Sequence, residues 1–190
     1  MPGIVTPSQT VGPFLRLGLS DLNTTDLTRK ASGGGERITI AGSVLDGDRQ
    51  PVPDAMLDIW QANVHGKYAH PDDSQVKPLD PGFSGFGRIP TDAAGTFRFT
   101  TIKPGPVPGR GNTLQAPHIL VALFMRGLLR HLYTRIYFSD SPGNAADPVL
   151  ALVDDARRRE TLIAKRQPGS GEYRWDVILQ GDGETVFFAC

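Results

Sequence analysis

A lone histidine opens an apolar stretch near the middle of the chain, Ala-Pro-His-Ile-Leu-Val-Ala-Leu-Phe over residues 116–124. Alternate residues of a β-strand share a face, so His118 and Leu120 point the same way, about 7 Å apart. An imidazole can bind a metal ion, but the next side chain on its face is aliphatic. His118 is therefore a working ligand, a core residue or the remnant of a lost site, and its immediate neighbours do not decide among the three.

A second candidate lies in a polar loop, His-Gly-Lys-Tyr-Ala-His-Pro-Asp over residues 65–72. His65, His70 and Asp72 carry the donor atoms of a metal site. A polar surface loop explains the same three residues, and we favour that interpretation. The chain contains neither a Gly-x-Ser-x-Gly nucleophile elbow nor a Cys-x-x-Cys pair, so the sequence indicates neither of those chemistries.

One face of a later predicted strand carries an imidazole and two phenols, on His131, Tyr133 and Tyr137. Residues 131 and 137 of a strand lie about 20 Å apart, so the three side chains cannot meet one ion. An interface or a packed sheet surface is the better interpretation of this face.

The composition argues against several classes of protein. Lysine plus arginine equals aspartate plus glutamate, 20 each, which argues against nucleic acid or an anionic membrane as the main partner. The longest apolar run, residues 119–125, is too short to cross a bilayer, and the first residues lack the pattern of a secretion signal. Cys190 is the only cysteine, so no intrachain disulfide can form, and we expect a reducing, cytoplasmic location.

The elements that must position these side chains are short strands. The 190 residues include 22 glycines and 16 prolines, and apolar side chains alternate over short runs between turn signals. The predicted strands cover residues 37–45, 55–61, 96–102, 118–126, 131–138, 173–180 and 185–188. We predict an all-β fold of one domain, residues 1–190: a two-sheet β-sandwich with long loops and one or two short helices. The longest loop would cover residues 63–90, and the helices would lie within residues 147–165.

Several blocks, in this order, carry a family resemblance. They are Ile-Trp-Gln-Ala-Asn at residues 59–63, Gly-Lys-Tyr at 66–68, Phe-Ser-Gly-Phe-Gly-Arg at 83–88, Thr-Ile-Lys-Pro-Gly-Pro at 101–106 and Ala-Pro-His-Ile at 116–119. Together they resemble the intradiol ring-cleaving dioxygenases. The resemblance spans nearly the whole chain, from residue 6 to residue 188. Two later blocks, residues 159–166 and 183–188, resemble the alpha rather than the beta subunit of the members that are built from two kinds of chain.

The family binds ferric iron with two tyrosines and two histidines. Matched one by one, the ligand positions of this chain are Tyr68, Val107, His118 and Leu120. We call these four the remnant positions, because only the first and third keep a ligand. One phenol and one imidazole are too few to hold the ion, so no metal is expected in this chain. His118 would then be a buried, hydrogen-bonded, neutral imidazole.

The same resemblance implies a partner. A homologous beta subunit would bind Fe³⁺, and the heterodimers would assemble further. The assembly would cleave the aromatic substrate 3,4-dihydroxybenzoate with O₂ to 3-carboxy-cis,cis-muconate. This chain would supply structure and part of the substrate pocket but no catalytic residue of its own, and neither nucleic acid nor a membrane would be involved.

Two segments match alpha-subunit residues near the substrate. Arg126 would bind the substrate carboxylate with paired donors in one plane, and an ordinary surface salt bridge is the alternative. Thr10, Gly12 and Pro13 would approach the partner's pocket as part of an N-terminal arm, residues 1–16, that docks on the partner subunit. The alternative for the arm is a floppy terminus.

Two other functions remain open from the sequence. A metal-free β-sandwich could be a binding module for a carbohydrate or another small molecule. A homo-oligomeric iron enzyme could use His65, His70 or Tyr133 as replacement ligands.

Overall fold

The computed structural model describes residues 6–189, and most of its regular structure is β-strand. The strands are β1 (Arg37–Leu45), β2 (Met56–Trp60), β3 (Phe86–Pro90), β4 (Thr96–Ile102), β5 (Val107–Pro108), β6 (Leu114–Gln115), β7 (His118–Phe124), β8 (Leu132–Phe138), β9 (Ile163–Arg166), β10 (Glu172–Arg174) and β11 (Val177–Ile178). The helices of this part of the chain are α1 (Pro13–Gly18), α2 (Ala156–Glu160) and 3₁₀ turns at Ser20–Leu22, Pro142–Ala146 and Leu150–Leu152. Cys190 and the first five residues of the predicted arm lie outside the described residues. None of the described helices is long and apolar enough to span a membrane.

The strands form a continuous mixed sheet that curls into a nearly closed barrel. Its order is β11–β1–β10–β9–β8–β7–β2–β3, with β4 paired to β1, while β5 and β6 form a separate two-stranded ribbon. The mostly-β fold with short helices is confirmed, although only α2 lies in the predicted helical region and α1 lies near the start of the chain. The predicted two-sheet sandwich needs correction. The reason is β9, which pairs with β8 on one side and β10 on the other and so joins two groups of strands. Side-chain alternation shows which face of a strand is buried, but it does not reveal such a bridge.

Some strand boundaries also differ from the prediction. The predicted long loop contains β3, and the predicted helical region contains β9 after α2. The strand predicted over residues 173–180 is divided into β10 and β11, where the Asp176 carboxylate accepts a hydrogen bond from the Ser43 N–H (2.8 Å) and replaces a ladder carbonyl. Residues 185–188 form no strand, and Phe188 makes an isolated bridge to β8 instead.

The two faces of β2, β7 and β8 have different surroundings. The inward side chains belong to the main core and include Leu57, Ile59, Ile119, Val121, Leu123 and Ile136. The outward side chains form cross-strand rows. One row places Trp60 beside Leu120 and Leu120 beside Arg135. The next row places Ala122 beside Tyr133. This outer face is the platform for the candidate site.

A buried carboxylate ties the outer strands to the segment that follows them. Asp147 is 1% exposed, and it accepts a hydrogen bond from the hydroxyl of Tyr137 on β8 (3.1 Å). It also accepts three backbone N–H bonds, from Ala116 (2.7 Å), Val149 (2.8 Å) and Leu150 (2.8 Å). Burying an ionised carboxylate requires this many donors. Asp147 therefore holds the entry to β7, the end of β8 and a 3₁₀ turn together.

We expect Asp147→Asn to lower the free energy of unfolding by about 1–3 kcal/mol, because the new amide must face a buried N–H donor. The measurement is urea unfolding of the full chain. Asp182→Asn, in an exposed turn, is the matched control and should change stability little. Equal stability of the two variants would show that the Asp147 network does not stabilise the fold.

Candidate functional site

A cavity of about 1050 Å³ lies over the outer face of β2, β7 and β8, and we call it the outer-face cavity. Its apolar and aromatic walls include Trp60, Phe86, Leu120, Tyr133 and Leu152. The charged groups that line it are Asp58, Arg110 and Arg135. A large apolar space with a few polar groups is typical of small-molecule sites.

His118 is buried beside the strand partner of β7. The side chain is 3% exposed, and its ring lies 5.6 Å from that of Tyr137. Its Nδ1 is 2.8 Å from the carbonyl oxygen of Ala116, a contact in which Nδ1 donates. Burial, reinforced by the charge of Arg135, lowers the pKa of His118 to about 4. The imidazole is therefore neutral at physiological pH.

Arg135 brings a positive charge to the row that contains Leu120. Its Nη1 donates to Gln115 Oε1 (2.7 Å) and to the Tyr137 hydroxyl (3.3 Å). Both acceptors are neutral, and within residues 6–189 no carboxylate forms an ion pair with this guanidinium. Because Tyr137 itself donates to Asp147, the position of Arg135 is held by a buried chain of hydrogen bonds.

Tyr68 and Val107 both line a neighbouring depression of about 610 Å³. The Tyr68 ring stacks on Trp60 with a centroid separation of 5.9 Å, and burial raises the pKa of its phenol. Gly66 lets the loop approach the backbone before Val107, since it has a φ of 73° and a Cβ there would lie 1.9 Å from the Pro106 oxygen.

The remnant positions do not fit a ferric ion. Tyr68 offers a phenol whose raised pKa opposes the anionic form that ferric iron prefers. Val107 is 4% exposed and apolar, and Leu120 has a guanidinium as its cross-strand neighbour. A fixed positive charge beside the site opposes a bound cation. The donor set and the local charge therefore both disfavour iron.

The other predicted ligands do not form a metal site. His65 and His70 are exposed in the loop, where Nδ1 of His70 accepts a hydrogen bond from the Asp72 N–H (3.2 Å). Tyr133 faces the outer-face cavity, and its ring packs edge-on against that of His131 at 4.5 Å. Within residues 6–189, no group of three or more His, Cys, Asp and Glu side chains is placed to hold a metal ion.

The predicted substrate-binding residues come together in one place. The N–H of Gly127, which follows Arg126, donates to the Thr10 hydroxyl (2.8 Å). Gly12, Pro13 and Arg126 line a cleft of about 280 Å³ between the start of α1 and the end of β7, which we call the arm cleft. Residues that are more than 110 positions apart in the chain thus form one surface.

Asp54 is a member of the arm cleft that the sequence analysis missed. Its carboxylate accepts a hydrogen bond from Nε of Arg126, and it is 20% exposed while the Arg126 side chain is 63% exposed. No motif marks Asp54, because it lies in a turn before β2 and meets Arg126 only through the pairing of β2 with β7.

Arg135, Gln115 and Asp147 were also missed. The alternation of Tyr133, Arg135 and Tyr137 on β8 is visible in the sequence, but the candidates on that face were His131 and the two tyrosines. The pairing of Leu120 with Arg135 depends on strand register, which the alternation alone does not give.

Comparison with known proteins identifies the class to which this fold and these sites belong. A family model described as Dioxygenase matches residues 12–181. The chain belongs to this dioxygenase family, and the resemblance found in the sequence is confirmed. A solved structure, the dioxygenase domain of a dioxygenase carbohydrate-binding protein fusion from Streptomyces sp. SirexAA-E, has a TM-score of 0.61 and 29% identity, with 86% of this chain and 89% of that chain covered.

The similar sequences include both kinds of subunit. The chain is 41% identical to the protocatechuate 3,4-dioxygenase alpha chain of Pseudomonas putida (96% of this chain, 95% of that protein) and 45% identical to the alpha chain of Burkholderia cepacia (96% of each). It is 38% identical to the beta chain of Burkholderia cepacia, over 84% of this chain and 73% of that protein. Identity and coverage are both higher for the alpha chains.

The low pKa of His118 predicts an acid-sensitive contribution to stability. The folded state has a pKa of about 4 against the ordinary 6.5, so the unfolded state binds more protons between these two pH values. Stability is therefore lost as the pH falls from about 6.5 towards 4. We expect a loss of about 2 kcal/mol between pH 7.5 and pH 5 from this residue.

The measurement is urea unfolding of the wild type and of His118→Gln at both pH values. The glutamine variant should lose most of this pH dependence, since it has no group that titrates there. If the two proteins lose the same stability on acidification, His118 is not the neutral buried group described above.

Proposed function

We propose that this chain is the alpha-type, iron-free subunit of a protocatechuate 3,4-dioxygenase. The assembly would cleave 3,4-dihydroxybenzoate with O₂ between its hydroxylated carbons to 3-carboxy-cis,cis-muconate. The observation that carries the proposal is the 41–45% identity to alpha chains over 96% of this chain, combined with remnant positions that do not fit iron. We also propose a cytoplasmic location, on the basis of the single cysteine.

The iron would be held by a homologous beta-type partner. The 38% identity to a beta chain supports a partner with the same fold. The arm, residues 1–16, would dock on that partner and bring the arm cleft to its substrate site. Further assembly of the heterodimers is part of the same proposal.

Within that assembly, this chain would bind and orient the substrate rather than carry out the chemistry. The Arg126 guanidinium uses Nε on Asp54, which leaves its terminal nitrogens for a substrate carboxylate. Gly12 and Pro13 also line the arm cleft. Thr10 would keep the arm in register through its bond to the Gly127 N–H.

The other functions considered from the sequence have less support. A match to the dioxygenase family over residues 12–181 favours a subunit of the enzyme over a separate carbohydrate-binding module. A homo-oligomeric iron enzyme needs replacement ligands, and the exposed His65 and His70 do not converge with Tyr133 on one point in the described structure.

Expression with and without the beta-type partner tests the division of roles. We expect this chain alone to bind no stoichiometric iron and to show no ring cleavage, because its remnant positions lack two ligands. The co-expressed pair should bind one iron per heterodimer and cleave 3,4-dihydroxybenzoate. Iron quantitation and the visible tyrosinate-to-iron band are the measurements, and a metal-loaded or active isolated chain would contradict the proposal.

Substitutions in the arm cleft test the role of Arg126. In the assembled enzyme, we expect Arg126→Ala to raise KM for 3,4-dihydroxybenzoate about tenfold, since a charge-assisted contact to the carboxylate is lost. The KM for catechol, which has no carboxylate, should stay the same. Asp54→Asn should raise the first KM by a smaller factor, because Arg126 would lose its fixed orientation.

Arg130→Ala is the matched control, since Arg130 is an exposed arginine four residues further along. It should leave both KM values unchanged. An Arg126→Ala enzyme with an unaltered KM for the carboxylated substrate would remove this residue from the substrate site.

A further inference from the structure

The outer-face cavity contains positive charge that is not neutralised within the described part of the chain. Of the charged groups that line it, the Asp58 carboxylate is occupied by a bidentate pair with Arg88, whose Nε and Nη2 each lie 2.7 Å from it. No ion pair of Arg110 or Arg135 is present among residues 6–189. The lining of this cavity therefore carries two guanidinium groups, and its carboxylate is already paired.

Arg135 has a pair of unused donors that match a carboxylate. Only its Nη1 is used, on Gln115 and Tyr137, so Nε and Nη2 have no protein acceptor within the described residues. These two nitrogens form the side edge of the guanidinium, whose parallel N–H groups match a carboxylate. Arg88 uses this same edge on Asp58, which provides an internal example of the geometry. Arg135 donates to the Tyr137 hydroxyl, which in turn donates to the buried Asp147 carboxylate. These hydrogen bonds hold the guanidinium in place before a ligand binds.

The walls of the cavity favour an aromatic body for that ligand. Trp60 and Leu120 lie in the same cross-strand row as Arg135, and Tyr133 lies in the next row. Phe86 extends the first row beyond Trp60. A flat apolar ring can stack on such a surface while its carboxylate reaches the guanidinium. The volume of about 1050 Å³ is ample for a single ring.

We propose that the outer-face cavity is a metal-free binding site for an aromatic carboxylate, with the carboxylate on the Nε and Nη2 edge of Arg135 and the ring against Trp60 and Leu120. The site is separate from the arm cleft and needs neither the partner nor iron. It does not depend on the proposed function, since it rests on the residues of this chain alone.

Titration of the full chain, without partner or iron, with benzoate tests the proposal. Trp60 lines the cavity, whereas Trp175, the other tryptophan, is 3% exposed in the main core. Benzoate should therefore change the tryptophan fluorescence of the wild type, and Trp60→Phe should remove that change. A fluorescence change that survives in Trp60→Phe would place the ligand elsewhere and overturn the proposal.

The role of the guanidinium is tested with Arg135→Gln and Arg135→Lys, whose Kd for benzoate we expect to rise at least about tenfold because the paired donors are lost. Arg98→Gln, an arginine of β4 outside the cavity, is the matched control and should keep the wild-type Kd. Phenol, which has no carboxylate, should bind much more weakly than benzoate. Equal Kd values for wild type and Arg135→Lys, or for benzoate and phenol, would overturn the proposal.

A variant that fills the cavity covers the case in which loss of Arg135 prevents folding. Ala122 lies on the floor of the cavity, on the outer face of β7. Ala122→Phe retains Arg135 and should abolish benzoate binding by excluding the ring. Unchanged binding to Ala122→Phe would show that the ligand does not occupy this space.

Discussion

The carboxylate of Asp147 is the interaction on which the outer face of this protein depends. In its buried position it accepts three backbone N–H bonds and the hydroxyl of Tyr137. Displacing the Asp147 carboxylate would leave three backbone N–H groups and the Tyr137 hydroxyl without their acceptor, and the carboxylate charge without hydrogen bonds. Asp147 therefore fixes three elements relative to each other: the start of β7, the end of β8 and the 3₁₀ turn that follows Asp147. The positions of the outer-face side chains on β7 and β8 depend on this arrangement.

Two of those side chains have consequences beyond stability. Tyr137 connects Asp147 to Arg135, so a buried negative charge orients a half-buried positive one. The same guanidinium helps to keep His118 neutral. Leu120 and Arg135 are cross-strand neighbours in one row, so the positive charge of Arg135 lies beside Leu120 and opposes a bound cation there.

The sequence predicts the strands of this arrangement and singles out His118, Leu120 and Tyr137, but it does not single out Arg135, Gln115 or Asp147. The bounds of β1 and β4 followed directly from alternation. The bridge formed by β9 could not be predicted, because it is a short parallel pairing between segments whose alternation is the same with or without it. The pairs Arg126–Asp54 and Arg135–Gln115 depend on register and on turns, and single-sequence patterns do not encode these.

Arg135 and Arg126 differ in how far their guanidinium groups are shielded from water. Arg135 lies within apolar walls that belong to this chain, so water is already partly excluded where it meets an anion. Arg126 follows the end of β7 at Phe124, a residue that is itself about 13 Å from Leu120 along the strand. The Arg126 side chain is 63% exposed, with Asp54 on one edge. A guanidinium that is well solvated contributes little to the binding of a carboxylate. In the proposed role, Arg126 would bind a carboxylate effectively only if another surface covered the arm cleft, which is the physical reason to expect that role in an assembly and not in the isolated chain.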